Sequence, residues 1–214
     1  MITLVFADDH AVTRAGIRTI LSQAPDIQIV GEAENGLEVQ GLVERLRPQI
    51  LLLDLKMPGP PPAEIEKWVR THCPETATLV LTAHDRDSYL TAMIDSGAVG
   101  LIDKNETAER LIGAIRRAAQ GEILFDDRQL DRARRWRATA GEKWASLTVR
   151  ERQVLKLLVQ GLDRVETAKR LEIVPKTVDY HIANILKKLD VKSNKDAVCW
   201  VHKYVSDDLG SIED

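Results

Sequence analysis

Apolar positions change their rhythm along this chain. Up to about residue 121, short apolar runs alternate with stretches in which apolar residues return at helical spacing. The runs Ile2–Phe6, Ile27–Gly31, Ile50–Leu53, Thr78–Leu81 and Val99–Ile102 are bounded by Gly, Pro and Asp, which holds them to strand length. Between them, Thr13–Ser22, Leu37–Leu46, Glu64–Thr71, Ser88–Asp95 and Ala108–Ala119 predict helices; Leu111, Ile112, Ile115 and Ala119 mark one such apolar face. Residues 122–145 lose the alternation: a charge-dense stretch, Asp126–Arg137, runs into Ala138-Thr139-Ala140-Gly141. This interval reads as a linker, with helix an open alternative for its Arg-rich part. Beyond it the pattern is helical throughout, at about Val149–Val159, Val165–Leu171, Lys176–Leu189 and Lys195–Tyr204, with Gly161 at a C-cap position and Pro175 in a first turn.

Five strand–helix units in a row imply a parallel sheet covered by helices on both faces. Right-handed crossovers make this an α/β doubly wound, flavodoxin-like sheet, whose ligand site lies at the carboxyl ends of its strands. A small all-α domain follows it. The expected organisation is therefore a first domain at 1–121, a linker at 122–145, a helical domain at 146–205 and an acidic tail at 206–214. The 214 residues suffice for two such cores without disulfides or metal clusters. Cys73 and Cys199 fall in different domains and form no disulfide framework, which suits a reducing cytoplasm. No apolar run approaches the roughly 20 residues of a membrane span, and the N-terminus lacks a signal-peptide pattern.

Charge sharpens the division. The overall −3 hides 12 basic against 17 acidic residues in 1–121, 6 against 5 in 122–145, 12 against 7 in 146–205, and 4 acidic residues with none basic in 206–214. The basic helical block is the candidate for nucleic acid.

Three acids stand at strand ends: Asp8 and Asp9 after the first strand, Asp54 after the third. Brought together they repel, and a divalent cation such as Mg²⁺, which prefers hard oxygen ligands, relieves the repulsion. A carboxylate in such a site can attack a phosphoryl group. Thr82, ending the fourth strand, is placed to donate to a phosphoryl oxygen, and Lys104, past the fifth, to pair with the new charge. In the basic block, Val178, Ile182, Ile185, Leu186 and Leu189 form an apolar stripe, and Lys176, Thr177, Asp179, Tyr180, Ala183, Lys187 and Lys188 lie off it. A short helix and a tight turn before it predict a helix-turn-helix, its second helix in the major groove and its lysines on phosphates. An ordinary helical bundle with a solvated basic face is the competing reading of that pattern.

Asp8-Asp9, Asp54 with Met57-Pro58, Thr82-Ala83 and Lys104, in this order and spacing, resemble the receiver domain of two-component response regulators. The resemblance implies phosphorylation of Asp54 by a sensor histidine kinase. It also implies Mg²⁺ held by Asp9, Asp54 and the backbone carbonyl of Lys56, with Asp8 acting through water, and a switch comprising Thr82, residue 101 and Lys104. Leu147 to Leu155, Gly161-Leu162, Glu166, Ala168, Leu171, Lys176-Thr177-Val178, His181, Asn184-Ile185, Lys188-Leu189 and Val191 resemble a LuxR-type DNA-binding domain. Receiver followed by LuxR-type domain is the layout of the NarL/FixJ subfamily, which implies a cytoplasmic transcription regulator that acts on promoter DNA, as a homodimer when active, and is no enzyme beyond slow autodephosphorylation.

The chain departs from that pattern in places. Gly59-Pro60-Pro61-Pro62-Ala63 replaces the usual Met-Asp-Gly segment, and Leu101 stands where the family carries a switching aromatic. Thr167 replaces an apolar scaffold residue. Asp179 and Ala183 occupy groove-facing positions where some members have lysine; Asp179 either accepts from a cytosine amino group or repels phosphate. Two rivals stay open. A regulator that binds DNA without phosphorylation is one. The other is a metal-dependent aspartyl phosphohydrolase, against which Lys56 argues by standing where that chemistry uses a second acid. Outside these motifs, His181 is read as a packing residue, Trp136 and Trp144 as packing against either domain, Arg128–Arg137 as a solvated helix face, and Ala197, Val198 and Val201 as a small dimer contact.

Overall fold

The computed structural model describes residues 1–83 and 86–205. The acidic tail at 206–214 lies outside the described residues. The chain divides into two compact units, Met1–Asp131 and Arg132–Asp214.

The first unit is a five-stranded parallel sheet: β1 (Ile2–Ala7), β2 (Ile27–Ala33), β3 (Ile50–Leu53), β4 (Ala77–Thr82) and β5 (Gly100–Asp103), in the order β2-β1-β3-β4-β5. Its helices are α1 (Ala11–Leu21), α2 (Gly36–Leu46), α3 (Pro62–His72), α4 (Asp87–Ser96) and α5 (Ala108–Ala118). The central strands are apolar on both faces because both faces are covered. Val5, Leu51, Leu53 and Val80 pack with Val39, Ile65, Val69 and Met93 of the helices on one side. Leu4, Phe6, Ile50, Leu52, Leu79 and Leu81 pack with Ile17, Leu21, Leu111 and Ile115 on the other. Each fully buried side chain of this kind contributes about 1.5–3 kcal/mol.

The stiff segment after β3 has a packing role. The Pro58 carbonyl accepts from Gly36 N at 2.8 Å. Gly59 has φ +115°, and a Cβ there would lie 3.2 Å from the backbone nitrogens of Gly36 and Leu37. Only glycine allows so close an approach, so the loop is pressed onto the first turn of α2. Pro61 then precedes α3 and Pro62 opens it, where a missing N–H costs nothing.

A buried ionisable group in this unit, Glu66, serves no site predicted from sequence. Glu66 on α3 lies beneath the helix beside Thr78 and is 3% exposed. Burial pushes its carboxyl up to about 7, and the Thr78 hydroxyl and Arg70 guanidinium only partly offset that.

The stretch expected as a linker is divided between the units. Leu124, Phe125 and Leu130 pack on the two sheet clusters. The following helix, α6 (Asp127–Trp136), runs into a π-helical turn, Arg137–Gly141, and a short helix, α7 (Glu142–Ala145). Trp136, Ala140 and Trp144 belong to the core of the second unit. Trp136 Nε1 donates to the Tyr204 carbonyl at 2.8 Å. Gly141 leaves the room its ring needs, since a Cβ there would sit 3.0 Å from Trp136.

That second unit continues through α8 (Val149–Val159), α9 (Arg164–Arg170), α10 (Pro175–Leu189) and α11 (Asn194–Tyr204). Capping boxes open α8, between Thr148 and Glu151, and α9, between Asp163 and Glu166. Such caps are worth about 1 kcal/mol each and fix where each helix begins. Val154, Leu155, Val178, Ile185, Leu189, Trp200 and Val201 fill the core. Among the described residues, no helix is long and apolar enough to cross a membrane.

Candidate functional site

The strand register assembles the acidic site. Ala7 pairs with Leu53, so Asp8 and Asp54 leave the sheet side by side on its two central strands. This is where the chain reverses direction across the sheet, between β1 and β3, the crevice in which doubly wound folds bind ligands. Asp54 N donates to the Ala7 carbonyl at 2.9 Å. Thr82 pairs with Asp103, and Lys104 N donates to the Thr82 carbonyl at 2.9 Å, which brings the lysine to the same edge. Its ammonium bridges the two buried carboxylates, 2.7 Å from Asp8 Oδ2 and 3.0 Å from Asp54 Oδ2.

Asp8 and Asp54 are buried and Asp9 is exposed. Burial pushes the Asp54 carboxyl up, opposed by the hydrogen bond and charge of Lys104. Burial also works against the Lys104 charge, but its bonds to Asp8 and Asp54 outweigh burial and raise its pKa. Lys104 thus favours the Asp54 carboxylate without overcoming its burial, while the two acids hold Lys104 as the ammonium. Three acids stand here beside one lysine. Ligand atoms of Asp8, Asp9, His10 and Asp54 lie within 4.8 Å of one another. This donor set, rich in carboxylate oxygen, fits a hard divalent cation such as Mg²⁺. Lys56, whose carbonyl is the remaining expected ligand, follows two residues after Asp54 in the loop behind β3.

Two neighbours went unnoticed in the sequence. His10 contributes Nδ1 2.7 Å from Asp9 Oδ1, and its backbone N–H donates to Asp8 Oδ1 at 2.8 Å. Arg14, buried on α1, donates to the Asp8 carbonyl oxygen at 2.8 Å and also bonds Glu34. Both follow the acidic pair closely, so the helical phase of α1 was the available signal for Arg14. Among the switch positions, Thr82 is buried, and Leu101 is half-buried against the cluster that contains Val80, Leu90 and Met93. The Leu101 carbonyl accepts from Gln129 Nε2 of α6 at 3.3 Å.

In the second unit, α9 and α10 are joined by residues 171–174, with Glu172 in the left-handed region at φ +54°. Val178, Ile185 and Leu189 of α10 are buried, while Lys176, Asp179, Tyr180, Ala183 and Lys187 form an exposed stripe. Thr177 is half-buried beside it. Lys188 turns inward, its Nζ 2.7 Å from the buried Glu151 carboxylate. That contact and the Thr148 cap hold the Glu151 carboxyl below its usual range despite burial. Asp179 carries Arg164 of α9 at 3.0 Å, a pairing between helices that sequence spacing did not reveal. Thr167 is fully buried, and its hydroxyl lacks a hydrogen-bond partner among the described residues. His181 is half-buried with its ring edge-on to Tyr180, which agrees with a packing role.

Comparison with known proteins gives the same two parts. Residues 4–116 match the response regulator receiver domain, and residues 145–201 match the luxR family of bacterial regulatory proteins. The chain is 36% identical over 205 residues to the nitrate/nitrite response regulator protein NarL of Escherichia coli K12, covering 94% of this chain and 95% of that protein. It is 32% identical over 203 residues to the response regulator protein VraR of Staphylococcus aureus Mu3, covering 95% and 97%. Among solved structures, RcsB of Salmonella enterica serovar Typhimurium, bound to promoter rprA with the phosphomimetic BeF3⁻, aligns with a TM-score of 0.61 and 26% identity over 94% of this chain and 99% of that one. The chain belongs to the response regulators that join a receiver domain to a LuxR-type DNA-binding domain, and this is the framework of a transcription regulator.

Proposed function

We propose that Asp54 is the phosphoacceptor through which a sensor histidine kinase controls DNA binding by this chain. The observation that carries the reading is the Lys104 ammonium bridging Asp8 and Asp54 at the sheet's switch point. An Asp54 oxygen attacks phosphorus as the bond to the donor's imidazole nitrogen breaks, and Lys104 moves from the two carboxylates toward the transferred oxygens. Asp9, Asp54 and the Lys56 carbonyl would hold Mg²⁺, with Asp8 acting through water, and the ion would offset negative charge on the phosphoryl oxygens. Thr82 donates to one of those oxygens. Lys56 stands where a hydrolase would need a further acid, so the phosphoryl group is retained rather than turned over. Lys176, Thr177, Asp179, Tyr180, Ala183 and Lys187 face DNA as a homodimer engages promoter sites in the cytoplasm.

Phosphorylation with acetyl phosphate, with and without Mg²⁺, followed by intact mass and by affinity for promoter DNA, tests this reading. Labelling is expected only with Mg²⁺. The expected gain in affinity is small, below the ~1–3 kcal/mol usual in allosteric coupling. Leu101 lacks an aromatic ring able to alternate between two pockets. A gain of a hundredfold or more would show that leucine at this position transmits the signal fully.

A further inference from the structure

We propose that Arg164 and Asp179 act on DNA as one reading unit: Asp179 accepts from the amino group of a cytosine in the major groove, and Arg164, which holds it, grips the adjacent phosphate. This rests on the DNA-binding reading above and adds to it a residue from outside the recognition helix. Asp179 lies in the N-terminal half of α10, on the exposed stripe with Lys176, Tyr180, Ala183 and Lys187. A lone carboxylate there would be repelled by the phosphates on both sides of the groove. It is not alone: Arg164 Nη1 donates to Asp179 Oδ2 at 3.0 Å. The pair is neutral, so the approach to DNA carries no like-charge penalty.

The bond leaves chemistry to spare. An ionised carboxylate offers about four acceptor sites and a guanidinium five donors, and this contact uses one of each. Both side chains remain about half exposed, 56% for Arg164 and 49% for Asp179, so the unused groups face solvent. Cytosine N4 is the amino donor that a carboxylate recognises in the major groove. A planar guanidinium fork suits a phosphate better than a point charge does. The backbone of Arg164 is fixed as well, because Asp163 Oδ1 accepts from Val165 N at 2.7 Å and from Glu166 N at 2.8 Å. An exposed ion pair adds little to the stability of a fold. Stability therefore gives little reason for the pairing, and removing it should leave the fold intact.

The test uses the full chain loaded with beryllofluoride and Mg²⁺, a randomised duplex library, and affinities for the selected duplexes across a salt series. Asp179→Ala should lose the preference for cytosine at one position per half-site, about tenfold in discrimination. Arg164→Ala should weaken binding to all sequences, lower the salt slope by about one, and lose the same preference, because the carboxylate is no longer held. The double variant should discriminate no worse than Asp179→Ala. All variants should keep the wild-type urea midpoint. Tighter binding by Asp179→Ala with its base preferences unchanged would overturn the proposal, since Asp179 would then only repel phosphate. A preference lost in Arg164→Ala at a different base pair would overturn it too, since Arg164 would then read a base by itself. Failure of the wild type to bind any duplex would instead remove the DNA-binding reading on which the pair depends.

Discussion

Asp54→Asn protein incubated with acetyl phosphate and Mg²⁺ is expected to remain unlabelled in intact mass spectra under conditions that label the wild type fully. The amide is close to isosteric, but its nitrogen bears no nucleophilic lone pair and it contributes no charge to a cation site. Asp8 does not take over, because both of its carboxylate oxygens are engaged, Oδ1 by the His10 N–H at 2.8 Å and Oδ2 by the Lys104 ammonium at 2.7 Å. The fold should survive, since Asn keeps the size of Asp and relieves a buried repulsion between Asp54 and Asp8. Labelling of the variant at the wild-type rate would remove Asp54 from the mechanism and with it the meaning assigned to the Lys104 bridge.

Glu66→Gln is expected to stabilise the receiver unit at pH 8 by up to roughly 3 kcal/mol and to change it little at pH 5. The sign follows from linkage. The carboxyl titrates at about 7 in the folded chain against an ordinary value of 4.5, and each pH unit of displacement is worth about 1.4 kcal/mol. Between those two pH values the folded state binds more protons than the unfolded state, so wild-type stability falls as pH rises and levels off above about 7. Glutamine cannot ionise and removes that slope. Urea unfolding at both pH values checks it. Equal effects at pH 5 and pH 8 would mean that the carboxyl is not held protonated by burial.

Most of both units was legible in the sequence because each element announced itself locally. Ile50–Leu53 and Val149–Val159 form as expected to the residue, and other boundaries differ by one or two positions. The convergence of Asp8, Asp54, Thr82 and Lys104 was legible because parallel strands end on one edge. The region around 137–145 was not legible for a physical reason: Ala138 and Ala140 favour helix while Thr139 and Gly141 do not, the stretch has no apolar periodicity of its own, and what folds it is the burial of Trp136, Ala140 and Trp144 in a core formed by distant residues. Glu66 was hidden by its position on a charged helix, where the sequence cannot show which acid points inward. The inward turn of Lys188 and the bond between Arg164 and Asp179 depend on how helices cross, which spacing along the chain does not encode.

The order β2-β1-β3-β4-β5 carries a consequence for biogenesis. Every neighbouring pair in this sheet is parallel, so each ladder must wait for a crossover to close, whereas the second unit is helical throughout, with α8 and α9 opening on their own capping boxes. Closing distant contacts is the slower process. The ribosome makes the slow half first: residues 132–214 occupy roughly 4–17 seconds of synthesis at about 5–20 residues per second. The receiver therefore has a head start in which to close its sheet before the helical unit is complete. Dilution of the 214-residue chain from denaturant removes that head start. Refolding followed through Trp136, Trp144 and Trp200 should then run ahead of the signal from Trp68.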